Sequence, residues 1–218
     1  MMATKTALLV GATGLTGKIL LQLLLESSFY SKVTVLARKS TGMQHDKLTE
    51  IITDFDEWNQ GVEADDVFIC LGTTIKKAKT KEAFIKVDQD YPVKIATLQL
   101  AAGSQQLAVI SAMGADANSL IFYNRVKGNM EKELLLLSYP HLFIFRPSLI
   151  TGNREEKRSG EKTAVFLARF INPLLLGPLK KYRSVSAKAI ASCMLHYTNS
   201  NKSPMTNLIL SDTIQQYE

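Results

Sequence analysis

The stretch "TALLVGATGLTGKILLQLLLES", residues 6–27, decides how the rest of the chain is read. A short apolar run ending at Val10 leads into three evenly spaced glycines, Gly11, Gly14 and Gly17. A helical pattern follows, with Leu15, Ile19, Leu20, Leu23 and Leu24 recurring at i, i+4 and i+5. A glycine turn between a strand and a helix lets backbone approach a pyrophosphate, whose charge then sits at the helix N-terminus. The same small residues also suit a tight packing turn, so the glycines alone leave both readings open. The first gap holds two residues, Ala12 and Thr13, where the usual dinucleotide turn has one. Leu15 and Thr16 complete the candidate cradle.

The pattern repeats along the chain. Residues 5–10, 32–37, 48–53, 65–71, 106–111, 141–146 and 206–211 read as buried strands. Between them, residues 15–26, 80–102 and 119–138 read as helices. Gly103 is placed to end the second, and Ser186 to cap a further helix running to about His196. Apolar strands alternating with helices imply an α/β fold with a doubly wound, mostly parallel sheet. One domain over residues 1–218 is expected. The segment 151–185, with its charged loop "TGNREEKRSGEK", is expected to form a substrate-side loop and helix.

Composition narrows the function classes. The chain has 218 residues, 46% hydrophobic, with a formal charge of +6, enough for a substantial core. Its two cysteines, Cys70 and Cys193, both lie in apolar runs, so neither a disulfide framework nor a zinc site is implied. His45, His141 and His196 show no metal-ligand spacing. The run "TAVFLARFINPLLLGPL", residues 163–179, is broken by Arg169, Asn172, Pro173, Gly177 and Pro178, so no membrane span is expected. No basic–aromatic motif points to nucleic acid. The N-terminus carries no signal-peptide pattern, which leads to the expectation of a cytoplasmic protein. A homodimer is compatible with the chain but not specified by it.

Two further features sharpen the chemistry. Where an NAD site has an acidic residue at the end of its second strand, this chain has Arg38 and Lys39. Two cations suit a 2′-phosphate, which favours NADP, with NAD as the alternative. Tyr123 and Lys127, four apart, share one helix face. An ammonium beside a phenol stabilises the phenolate, so such a tyrosine can exchange a proton with a carbinol oxygen during hydride transfer. Ser111, ending the fifth strand, is placed to hydrogen-bond that oxygen.

In combination, Gly11-x-x-Gly14-x-x-Gly17, "CLGTT" (70–74), "VDQDYP" (87–92), "VISAMGAD" (109–116), "YNRVKG" (123–128) and "FRPSLITG" (145–152) resemble the short-chain dehydrogenase/reductase family. The likeness is to its atypical or extended branch, in a subgroup related to the animal Tat-interacting protein. The resemblance implies a Rossmann fold and a catalytic set of Ser111, Tyr123 and Lys127, with Lys127 also on the nicotinamide ribose. It further implies that Asp54 approaches adenine, that Cys70, Leu71, Gly72 and Thr73 line the cofactor, and that Arg146, Pro147 and Ser148 lie beside nicotinamide. Two function classes follow. One is an NADP-dependent oxidoreductase acting on a small carbonyl or alcohol substrate. The other is an NADP(H)-binding sensor with little or no turnover.

Overall fold

The computed structural model describes residues 4–152, 175, 177–200 and 206–218. In chain order the first half contains β1 (Lys5–Val10), α1 (Leu15–Glu26), β2 (Tyr30–Ala37), β3 (Leu48–Ile52), β4 (Asp66–Ile69), α2 (Ile75–Ala78), α3 (Lys81–Ile85), α4 (Tyr91–Ala101) and β5 (Gln106–Ile110). The second half contains α5 (Phe122–Leu136), β6 (His141–Arg146), β7 (Ile150–Thr151), β8 (Val185–Ser186), α6 (Ala187–Asn199), β9 (Thr206–Leu210) and α7 (Ser211–Ile214).

Seven strands pair in parallel in the order β3-β2-β1-β4-β5-β6-β9, and β7 with β8 forms a separate small pair. Because side chains alternate across a strand, β1 sends Ala7 and Leu9 into one core and Leu8 and Val10 into the other. The first core holds Leu20, Leu21 and Leu24 of α1 with Ile190 and Met194 of α6. The second holds Tyr91 and Ile95 of α4 with Met130 and Leu134 of α5. Both sheet faces are therefore covered, which is why the strands read as nearly unbroken apolar runs. The chain winds outward from β1 to β3, then restarts at β4 on the other side. The carboxyl ends of β1 and β4 thus flank the point where strand order reverses, the place where such sheets bind ligands.

The expected strands all form, with ends shifted by at most two residues. Ser186 caps α6 as expected, its hydroxyl accepting from the Ala189 N–H at 3.0 Å, and the helix continues to Asn199. The expected single helix over 80–102 is instead α3, a π-helical turn at Lys86–Asp90, and α4. Pro92 supplies the reason: it lacks the N–H that would bond the Asp88 carbonyl, and the Tyr91 N–H reaches back to the Lys86 carbonyl. The helix α2 was not expected; it is capped by Thr74. Of the segment 151–185, residues 153–174 and 176 lie outside the described residues. They include most of the charged loop and most of the expected substrate-side helix.

Candidate functional site

The glycine turn leaves β1 at Gly11, whose backbone is left-handed at φ +89°. A Cβ there would stand 2.7 Å from the Cys70 carbonyl carbon and oxygen, so glycine is what allows the turn to lie against the end of β4. A Cβ on Gly17 would stand 2.1 Å from the Gly11 carbonyl oxygen, so α1 can start this close to the turn only with glycine there. The Gly14 N–H donates to that same oxygen at 3.0 Å. Gly14 is also the N-cap of α1: it offers no side-chain cap, and the first turn holds no acidic residue. The first N–H groups of α1 therefore have no side-chain cap and no acidic residue in their own turn, and Thr13 and Gly14 are exposed. This is the donor set that a pyrophosphate takes. Ala12, Thr16 and Gly17 are buried beneath it, and Leu15 is half-buried.

At the end of β2, Arg38 and Lys39 are exposed, with no ion pair between them and any described acidic residue. The turn after them is held by Glu50 of β3. Its carboxylate accepts from the Ser40 hydroxyl at 2.6 Å, from the Thr41 N–H at 2.8 Å and from the Thr41 hydroxyl. These bonds, Ser40 first, lower the pKa of Glu50 below the usual carboxylate value. Asp54 is exposed and caps its own turn, accepting from the Asp56 N–H at 2.9 Å.

Beyond β4, Cys70 and Leu71 are half-buried and Gly72 is exposed. Burial pushes the Cys70 thiol up to about 12, so it is uncharged at neutral pH. The Thr73 N–H donates to Asp88 Oδ2 at 2.8 Å, and Asp88 Oδ1 lies 3.0 Å from Lys127 Nζ. Asp88 and Lys127 are 1% and 3% exposed. One carboxylate thus ties the loop after β4 to α5.

Ser111 directly follows β5, its N–H donating to the Phe145 carbonyl at 2.7 Å. Its hydroxyl is buried and has no hydrogen-bond partner among the described residues. A buried hydroxyl without a partner costs about 1–3 kcal/mol, so this one is a group for a bound ligand or an ordered water to meet. Tyr123 lies one turn before Lys127 on α5, 37% exposed, with its ring against Phe84 at 5.9 Å between centroids.

Arg146 is held by Glu131 of α5, with Nε to Oε1 at 3.0 Å and Nη2 to Oε2 at 2.5 Å, which raises its pKa above the ordinary guanidinium value. The Pro147 carbonyl accepts the Met113 N–H at 2.9 Å. The Ser148 hydroxyl donates to the Arg183 carbonyl and accepts from Ser211 at 3.0 Å. Of these, Pro147 joins the segment after β6 to the loop after β5, Arg146 ties the end of β6 to α5, and Ser148 ties the same segment to Arg183 and α7. Sequence reading named the motif containing Asp88 but gave that residue no role. Phe84, Asp88, Tyr91 and Ile95 form one helical stripe; a carboxylate on that apolar stripe was the available signal for a buried cationic partner.

The sequence profile of the NAD dependent epimerase/dehydratase family matches residues 7–121, more than half of the chain, from β1 to the edge of α5. The chain belongs to this family. It is thus a member of the extended branch of the short-chain dehydrogenases/reductases, NAD(P)-dependent proteins built on the Rossmann-like sheet seen here. Its relatives include HTATIP2 of Rattus norvegicus, 36% identical over 167 residues, 73% of this chain and 69% of that one. They also include the mitochondrial protein FMP52 of Eremothecium gossypii, 35% identical over 76% of each chain. Among solved structures, a UDP-glucose 4-epimerase of Thermotoga maritima superposes with a TM-score of 0.69 at 14% identity, covering 97% of this chain and 80% of that one. Human epimerase family protein SDR39U1 with NADPH superposes with a TM-score of 0.63, also at 14% identity, covering 94% and 74%. At that identity the two structures establish the fold alone.

The relatives correct one expectation. The FMP52 proteins of Eremothecium gossypii, Candida glabrata and Emericella nidulans are all named mitochondrial, which points to mitochondria and overturns the cytoplasmic assignment. That assignment rested on a missing signal-peptide pattern, and compartments are set by receptor-read signals that need not take that form. Among the described residues no helix is long and apolar enough to cross a membrane.

Proposed function

We propose that this family member is an NADP-dependent oxidoreductase that interconverts a small carbonyl compound and its alcohol. The observation that carries the reading is the buried, unpartnered Ser111 hydroxyl at the carboxyl end of β5, followed in the chain by Tyr123 and Lys127 on α5. The glycine turn, the uncapped start of α1 and the exposed Arg38 and Lys39 fit a dinucleotide with a 2′-phosphate. When bound, the nicotinamide supplies or accepts the hydride. In the reducing direction Tyr123 gives its phenolic proton to the carbonyl oxygen, and the Ser111 hydroxyl donates a hydrogen bond to the same oxygen. The Lys127 ammonium supports the resulting phenolate and binds ribose hydroxyls. Arg38 and Lys39 take the 2′-phosphate, and Asp54 lies toward the adenine. Cys70, Leu71, Gly72 and Thr73 form the wall of the cofactor crevice, and Arg146, Pro147 and Ser148 support its nicotinamide end.

The test is NADPH oxidation by the purified chain against a panel of small aldehydes and ketones. Tyr123→Phe lowers turnover about a thousandfold while leaving NADPH affinity within about threefold. An unchanged rate in the Phe variant overturns the mechanism.

A second reading, a cofactor sensor, draws on one observation: Lys127 is already engaged by Asp88, which opposes phenolate formation. It predicts tight NADPH binding, no turnover with any carbonyl, and a partner affinity that changes with cofactor.

A further inference from the structure

Asp88 is an unusual residue for its place. It lies in the π-helical turn between α3 and α4, 1% exposed, on the stripe that faces the second core. Both carboxylate oxygens are used: Oδ1 by Lys127 Nζ at 3.0 Å and Oδ2 by the Thr73 N–H at 2.8 Å. A buried carboxylate with two such partners is costly to assemble and fixes both of them. Lys127 stands one helical turn after Tyr123 on α5, and an anion at 3.0 Å from an ammonium weakens the positive field that ammonium directs at its neighbours.

We propose that Asp88 is a positioning residue that neutralises Lys127 and so keeps Tyr123 in its protonated form, poising the site for carbonyl reduction over alcohol oxidation. Reduction needs a phenol that can donate a proton; oxidation needs a phenolate that can take one. The inference rests on the reading of Tyr123 as the proton carrier. Through Thr73 the same carboxylate also fixes the loop after β4, so the charge at Lys127 and the shape of the cofactor wall share one anchor.

The other ionisable groups on the elements packed around this pair have partners of their own or face water. Lys86 of the turn pairs with Asp56 at 2.6 Å, and the Tyr91 hydroxyl of α4 donates to the same carboxylate at 3.1 Å. Lys94 of α4 donates to the Phe55 and Asp56 carbonyls. On α5, Glu131 holds Arg146, Glu133 accepts from Gln89, and Arg125 donates to the Ser119 carbonyl. Asp116 accepts from the Asn118 N–H. Lys81, Glu82, Asp90 and Lys132 are exposed, and Cys70 is an uncharged thiol. Among the described residues, Asp88 is therefore the carboxylate that answers Lys127.

The test is a pH titration of the full chain carrying ζ-carbon-labelled tyrosine, followed by NMR, with the Tyr123 signal assigned from Tyr123→Phe. In Asp88→Asn the Tyr123 phenolate forms about one pH unit lower than in the wild type, because a nearby negative charge has been removed. Asp88→Ser, smaller and also uncharged, gives the same shift should the amide variant fail to fold. The pH above which carbonyl reduction declines falls by the same amount. An unchanged or raised midpoint overturns the proposal. The NMR readout needs no turnover, so it answers for Asp88 even if Tyr123→Phe leaves activity intact and the oxidoreductase reading falls.

Discussion

The two ends of the central sheet handle buried polarity in opposite ways. At the amino end, the Asp66 carboxylate, fully buried, receives Lys5 Nζ at 2.6 Å, the Tyr30 hydroxyl at 2.6 Å and the Gln106 side-chain amide. These are the first residues of β4, β1, β2 and β5, so a single charge stitches four strand starts together. Burial, reinforced by Asp66, pushes the Tyr30 phenol far above its usual value and keeps it a donor. Two of the side-chain atoms that this end leaves without a hydrogen bond among the described residues, Gln106 Oε1 and Asn199 Oδ1, are neutral amide acceptors. At the carboxyl end, the Ser111 hydroxyl has no partner among the described residues, α1 starts without a side-chain cap, and Arg38 and Lys39 are exposed. A charge in a low-dielectric interior must be answered by the protein itself, whereas a binding site is made by leaving donors for something else to answer. One end holds the sheet together; the other holds the open positions.

That contrast can be broken at either end. The largest effect is expected from Asp66→Ala, which strands Lys5 and Tyr30 at the amino end and costs about 3 kcal/mol of stability in urea unfolding. NADPH affinity of the folded protein stays unchanged; a loss of affinity would mean the two ends are not separate. Ser111→Ala should do the reverse. It lowers kcat/KM about a hundredfold, while stability in the free protein stays level or rises by up to about 1 kcal/mol, because an unpartnered hydroxyl has been removed.

Next in size is Arg38→Ala. It is expected to weaken NADPH binding about tenfold and leave NADH binding unchanged, measured by fluorescence titration. Equal weakening of both would remove the 2′-phosphate assignment. The smallest effect concerns the clasp behind that turn. The hydrogen bonds to Glu50 lower its folded pKa, so its contribution is present above the unfolded value and is lost as pH falls through the folded one. Glu50→Gln therefore costs about 0.5 kcal/mol at pH 7 and progressively less as pH falls below the ordinary carboxylate range, in chemical unfolding followed across that range. A cost that persists in acid would place the effect outside the carboxylate.

How much of this was legible in advance varies with the range of the interaction. The strand at 5–10, the helix at 15–26 and the turn between them follow from spacing over a few residues, and they form where that spacing puts them. The break in the helix expected over 80–102 was written in Pro92, but its outcome, a π turn that sets Asp88 beside Lys127, depends on α5 lying against it. Arg146 shows the same limit. Its place at the end of β6 was readable, but its bidentate hold on Glu131 is not, since pairing across the fold leaves no local pattern. Tyr123 and Lys127 could be put on one helix face from their spacing, and Ser111 at a strand end. That the Ser111 hydroxyl is buried without a partner required the packed loops.

By itself the sequence determined the alternation of strand and helix, the parallel sheet and the glycine turn, because backbone periodicity and glycine's missing Cβ act over neighbouring residues. Only the tertiary structure decided which charges are answered and which donors stay open. Asp66 and Asp88 look alike as isolated acids in the chain. Burial among different partners makes the first a fastening of the sheet and the second the counter-charge of Lys127.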